Sequence, residues 1–232
     1  VTRAIDAAVA SRMERFAADV GAPPALVVLA ALGHALHRLT GHDDLVLGGV
    51  TADRSAVHRD LERVVGFFVD IVPLRLRIEE SASFEESVRA CLREFVDATS
   101  HPAAPLERIV DVLRVPRDPT RSALVQVAYN VYNFDEPTLT LPGIATSPVP
   151  VPVPGSPFDL TVYLARRQGS YVLDQVYNPE LYDRARIERS SADLLALLDA
   201  LVLDPTRPIR EIEVGFLTAG VSEEVAKEIG HP

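Results

Sequence analysis

The apolar positions of this chain alternate between helical and strand-like periods from one end to the other. Across residues 2–20, Ile5, Val9, Met13, Phe16 and Val20 recur at spacings of three and four, with Asp6, Arg12, Glu14 and Arg15 opposite them. That period predicts one amphipathic helix, ended by Gly21. Pro24 suits the first turn of a second helix to about residue 39, apolar almost all round and so buried against a sheet. Gly41 closes it, and His42, Asp43 and Asp44 form a polar turn. Residues 45–50 (LVLGGV) read as a buried strand, residues 51–63 as a polar stretch with a short helical pattern, and residues 71–78 as a second strand. Strand, crossover, strand points to mixed or parallel pairing.

The second half continues in the same way. Ser83 and Glu86 have capping-box spacing ahead of a helix to Ala98, with Phe84, Val88, Leu92, Phe95 and Val96 on one face. Residues 106–113 form a short helix, and residues 123–133 alternate as a strand does, with Val125, Val127, Tyr129 and Val131 on one side and Gln126, Ala128, Asn130 and Tyr132 on the other. Six prolines between residues 138 and 157 predict an extended or polyproline-like segment. Residues 158–165 and 170–177 read as a hairpin, and Asp183 caps a long helix to Leu203. From Ile209 the pattern fades to an extended segment and a weak charged helix over 222–229. The expected class is α/β, a mixed sheet flanked by helices.

One stretch resists this simple reading. Residues 65–75 (VGFFVDIVPLR) place Asp70 inside an apolar run that starts at the turn residue Gly66 and includes Phe67 and Phe68. A carboxylate there is costly to bury unless hydrogen-bonded. Asp70 is thus either a turn acid at the edge of a core strand or a polar group presented, with its backbone, to a cavity.

Composition narrows the function classes. Hydrophobic residues make up 47% and charged residues 24% of 232 residues, enough for a sizeable core. A net charge of −10 with no basic, aromatic-interleaved cluster argues against nucleic acid. Cys91 is the single cysteine, which excludes an internal disulfide and a cysteine-based metal site. No signal-peptide pattern is visible and the longest apolar run is too short to span a bilayer, so a cytoplasmic protein without a membrane partner is expected. His34 and His37 share one side of a helix with no acid at ligand spacing, which fits core or groove histidines better than a metal site. His42 with Asp43 and Asp44 fits a hydrophilic turn. Gly48 and Gly49 inside a strand mark close backbone approach. No phosphate loop, GxSxG or HExxH occurs, and no self-contained catalytic set emerges.

Several segments, in order, resemble the condensation domains of nonribosomal peptide synthetases. RLTGHDDLVLGGVTADR (38–54) resembles the family's TGxDDxxxGxxxxxR segment, and VGFFVDIVPLR its GxFVNxxPLR motif. HPAAPLERIVD (101–111) is similar to HQxxPFExLV, and RDPTRSALVQVAYNVYN (117–133) to RDxSRxPLFQVxFxxQN. FDLTVYL, VYNPELYD and the last long helix resemble the closing segments. The resemblance implies one lobe, the C-terminal one, of a two-lobe fold like that of chloramphenicol acetyltransferase, with a tunnel between the lobes. Residues 1–214 would be that lobe and 215–232 the start of a linker toward an adenylation domain.

The implied chemistry is amide formation. An aminoacyl thioester attacks a donor thioester, both held on phosphopantetheine arms of peptidyl and aminoacyl carrier domains, and no cofactor is bound directly. The family's HHxxxDG histidine belongs to the other lobe and is not in this sequence. The resemblance therefore implies no catalytic residue here, and inactivity without an N-terminal lobe. Gly66, Phe67, Phe68 and Asp70 would form a loop beneath the tunnel; Asn130 would lie near the reaction centre, with Tyr132 and the motif's closing Asn133 beside it. Arg75, His101, Arg117 and Arg121 would hold structure. The sequence departs from the family pattern at Asp70 (usually Asn), at Pro102 and Ala103, and at Ser122 and Ala123. Two alternatives stand beside this reading: a non-catalytic condensation-like module that binds a carrier domain or tailoring enzyme, and, from Tyr129-Asn130, an epimerization-type relative.

Overall fold

A computed structural model describes residues 1–52, 59–101, 104–116, 118–132, 141–144, 146, 156–167 and 169–214. The chain begins with a strand. β1 (Thr2–Ala4) pairs antiparallel with β6 (Ser170–Tyr177), and the helix expected from residue 2 starts only at α1 (Ala7–Val20). The reason is Asp6, whose carboxylate accepts the Ala8 N–H at 2.8 Å and fixes the first turn there. Ile5 fits the helical period by coincidence; it is buried from the strand end, its N–H donating to Tyr171 O at 2.9 Å. Gly21, at φ 69°, closes α1 in the left-handed conformation that glycine adopts without strain.

α2 (Pro24–Thr40) follows, then β2 (Asp44–Thr51), a 3-10 turn at Arg59–Arg63, β3 (Asp70–Arg77) and α3 (Phe84–Thr99). Next come α4 (Leu106–Leu113), β4 (Val127–Tyr132), β5 (Leu160–Arg167), β6, α5 (Arg184–Leu203) and a last 3-10 turn at Ile209–Glu211. The strands form one six-stranded sheet in the order β1-β6-β5-β4-β2-β3. β2 and β3 pair antiparallel, Asp44 opposite Arg77 through Thr51 opposite Asp70, so no parallel crossover joins them. The parallel pairs are β2 with β4 and β4 with β5. The sheet is mixed, as expected, but its parallel part lies elsewhere.

The core occupies one face of that sheet. Leu47, Leu74, Leu76, Tyr129, Leu160, Val162, Leu164 and Leu173 pack with apolar residues of α1, α2, α3 and α5, including Met13, Leu29, Phe84 and Leu198. Phe16 stacks on Phe84 with ring centroids 5.5 Å apart. Tyr129, wholly buried, donates its hydroxyl to Ala25 O at 2.8 Å and so ties β4 to the start of α2. Gly33 lets α2 lie against β3: a Cβ there would sit 2.9 Å from Leu76 Cδ1. Ser83 caps α3 with both halves of the capping box in place. Among the described residues no single helix is long and apolar enough to cross a membrane.

Candidate functional site

Side chains alternate across a strand, so the residues between the core positions of β2, β4 and β5 face the other way. They are Gly48, then Ala128, Asn130 and Tyr132, then Thr161, Tyr163 and Ala165. Gly48 is needed there because a Cβ would sit 2.7 Å from Val125 Cγ1 and 2.9 Å from Ile71 Cγ2. Asn130 and Tyr132 are half-buried. Asn130 lies opposite Tyr163 in the parallel β4–β5 register, and the Tyr132 and Tyr163 rings stack at 5.2 Å and 13°. Burial, then the neighbouring Tyr132, raise the Tyr163 phenol above its ordinary pKa, so it remains a protonated donor at neutral pH. Tyr163 was missed in the sequence, where it sits in an unremarkable β-hairpin strand; only the register shows that it meets Tyr132.

The same register brings the other predicted segment to this end of the sheet. Gly49 of β2 is level with Tyr129 of β4, and Thr51 of β2 is opposite Asp70 of β3. Asp70 and the Asn130–Tyr132 segment therefore lie two strand spacings apart, about 10 Å, by the carboxyl ends of β2 and β4. That end of parallel strands is where open α/β sheets gather ligands. Leading into β3, Val65 is fully exposed and Phe67 is 89% exposed, while Phe68 is half-buried. Gly66 accommodates the Phe68 ring, which would lie 2.7 Å from a Cβ at that position.

Asp70 itself is exposed, and its carboxylate accepts the N–H of Ile71 at 2.8 Å. The feared burial of a lone acid does not occur. β3 is an edge strand, and the backbones of Ile71, Pro73 and Arg75 alternate toward the open side. Ile71 N–H is taken by Asp70, Pro73 has none, and Arg75 N–H donates to Glu94 Oε1 of α3 at 3.1 Å. Over these three residues each outward donor is thus capped or missing, which blunts that part of the edge.

Arg75, His101 and Arg121, three of the four residues expected to hold structure, make the following contacts. Arg75 grips Asp44 in a two-toothed pair, Nε to Oδ1 at 2.8 Å and a terminal nitrogen to Oδ2 at 2.6 Å, and this hydrogen bonding holds the Asp44 carboxyl below its usual range. His101 donates from Nδ1 to Asp97 O at 2.9 Å and caps the last turn of α3. Arg121 lies 3.8 Å from Asp159, whose carboxyl burial pushes up while the guanidinium pulls it back. Leu124 adopts φ 67°, a left-handed bend that leads the chain into β4. Asn133, Arg117, Pro102, Ala103, the proline run at 148–154 and residues 215–232 lie outside the described residues. Among the described residues no group of three His, Cys, Asp or Glu side chains could hold a metal ion.

A family model described as Condensation domain matches residues 1–215. The chain belongs to the condensation-domain family. Among its relatives are phosphinothricin tripeptide synthetase PhsB of Streptomyces viridochromogenes, 34% identical over 205 residues, and chondramide synthase cmdD of Chondromyces crocatus, 33% identical over 189 residues. These alignments cover 87% and 82% of this chain but 17% and 5% of those much longer proteins. The X-domain from teicoplanin biosynthesis superposes with a TM-score of 0.81 at 26% identity, over 92% of this chain and 49% of that one. A four-domain nonribosomal peptide synthetase bound to AMP and glycine shares the fold with a TM-score of 0.83 at 20% identity, over 92% of this chain and 17% of that one. This condensation-domain chain spans about half the length of the solved X-domain. The mixed α/β architecture expected from the sequence is the architecture of these neighbours.

Proposed function

We propose that residues 1–214 form the C-terminal lobe of a condensation domain and supply one wall of the tunnel in which donor and acceptor thioesters are joined by an amide bond. The carrying observation is the sheet register: it gathers Asn130, Tyr132 and Tyr163 on the face away from the core, at the carboxyl ends of the parallel strands, with the 66–70 loop entering β3 by the same end. The exposed Val65 and Phe67 suit a surface completed by another lobe. The two thioesters arrive on phosphopantetheine arms of peptidyl and aminoacyl carrier domains, and residues 215–232 lead toward an adenylation domain.

The site offers an amide and two phenols but no imidazole, so its chemistry is positional. Asn130 can donate to a thioester carbonyl and accept from an incoming amine, and the stacked phenols fix the width of the wall. Proton transfer then falls to the histidine of the N-terminal lobe. To test this, the chain is co-produced with the preceding half and supplied with loaded carriers, and amide product is followed by intact-protein mass spectrometry. Product should form only with both halves, and Asn130→Ala should slow it about tenfold or more. Product from this chain alone, or an unaltered rate in Asn130→Ala, would sink the reading.

A second reading, a non-catalytic condensation-like module, is favoured by the 26% identity to the teicoplanin X-domain, which has been solved in complex with OxyB. It predicts capture of a tailoring enzyme or a carrier domain by the two-lobe protein, with no amide product under any carrier loading.

A further inference from the structure

The apolar pattern fades after α5, but residues 205–212 do not leave the lobe there. Pro205 O accepts the Glu85 N–H of α3 at 3.0 Å, and Pro208 forms an antiparallel bridge with Ser83. Ile209 N–H donates to Ala82 O at 3.0 Å, and Arg210 N–H donates to Glu80 O at 2.9 Å. Ile209 and Ile212 are buried and belong to the main core. The segment is a strap laid across the start of α3 and the turn before it, and residues 215–232 continue from its end.

A further hold comes from α2. Arg38, half-buried in its last turn, donates from one terminal nitrogen to Ile209 O at 3.1 Å and to Ile212 O at 2.9 Å. That nitrogen has two hydrogens, one for each carbonyl. The carbonyls lie at the C-terminal end of the Ile209–Glu211 turn, where a cation is favoured. Burial works against the guanidinium charge, and the Glu80 carboxylate supports it. Glu80 thus serves the strap twice: its backbone oxygen holds Arg210, and its side chain sustains Arg38 from a position 3.5 Å from His37 Nε2. Without the guanidinium, both strap carbonyls lose a charge-assisted bond.

We propose that residues 205–212 are a mount that fixes where the following chain starts, and that Arg38 is the clasp that closes it. The chain then departs beside the end of α2, not on a free tether from the end of α5. The partner served is the next domain of the same polypeptide. For that partner alone the inference rests on the reading above, in which residues 215–232 lead toward an adenylation domain. Closing the strap removes its residues from the free linker, and a shorter linker raises the effective concentration of two joined domains for one another.

The test is a spin-label distance measurement on the full chain carrying Glu213→Cys and Ala90→Cys, both at exposed positions. Cys91 is buried, with its thiol pKa pushed up to about 12, and stays unlabelled. A single narrow distance distribution is expected. Arg38→Met should broaden it, because methionine keeps an apolar stem and has no donor. Amide hydrogen exchange reads the same release. In Arg38→Met the Ile209 and Arg210 amides should lose protection about tenfold or more, while those of β5 and β6 keep theirs. Arg38→Lys, which keeps the charge but not the planar fork, should show a smaller loss at the same two amides. A broad distribution, or unprotected Ile209 and Arg210 amides, in the chain that retains Arg38 overturns the proposal without reference to any variant. A narrow distribution and full protection that persist in the folded Arg38 variants overturn it equally. Neither readout uses amide formation, so the mount and the tunnel-wall reading fail separately.

Discussion

Two residues are placed by electrostatics that single substitutions can read. Asp70 accepts one backbone N–H on an exposed strand edge, and an asparagine side-chain oxygen can accept the same bond. Asp70→Asn should therefore shift the urea unfolding free energy by less than about 0.5 kcal/mol, and should leave amide formation by the complete domain unchanged. A large drop in turnover without a change in stability would give the charge at position 70 a role in the chemistry. His34 behaves oppositely. Its pKa falls from 6.5 in the unfolded chain to about 4 in the folded one, so between those values the unfolded state binds more protons. Stability should fall as pH drops from about 6.5 toward 4, by about 3 kcal/mol over the window. In His34→Gln that component of the slope should vanish, as urea titrations at several pH values will show. Neither behaviour was legible in the sequence. The run around Asp70 hid which backbone groups faced outward, and the histidine spacing on α2 hid that Ser87 of another helix fixes the ring.

Elements were easier to read than their partners. Ser83 with Glu86 announced the start of α3, and the structure shows the full reciprocal pair: Glu86 N–H to Ser83 Oγ at 3.2 Å and Ser83 N–H to Glu86 Oε2 at 2.8 Å. Ser83→Ala should cost about 1 kcal/mol in chemical denaturation, and Ser83→Asp should recover most of it. An unchanged midpoint in Ser83→Ala would mean that burial of Phe84 and Val88 alone sets the helix start. The first helix was read too long because three residues are too few to carry a period of their own, and Ile5 satisfied the helical spacing while serving a strand. Pairing was out of reach for a related reason. Local periodicity says that β2 and β3 are strands, but not that they are direct antiparallel neighbours, nor that β2 takes the distant β4 as its parallel partner on the other side.

At the scale of the molecule, the sheet is closed at one side by the start of the chain. β1 covers β6 at three paired positions, and Ile5 is buried behind it. Removing residues 1–4 should lower stability by about 1–3 kcal/mol through lost strand pairing, and should promote self-association through the bared β6 edge, visible by light scattering. Equal stability with no added scattering would show that β1 is an accessory to the fold. The layout of the candidate site belongs to this scale too. The motifs named Asn130 and the 66–70 loop separately, and their adjacency comes only from the β3–β2 and β2–β4 registers.

The pairing of β1 with β6 also imposes a schedule. Thr2 and Asp174 meet although they are 172 residues apart, so β1 must wait for β6 to be made. At 5–20 residues per second that delay is roughly 10–35 s. Until then β1 has no strand partner, while the α1–α2 pair and the β2–β3 pair can form early and the parallel β2–β4–β5 centre only once residue 167 has been made. Translation speed and chaperone access during that interval, more than equilibrium stability, will govern how much of the chain reaches its native sheet.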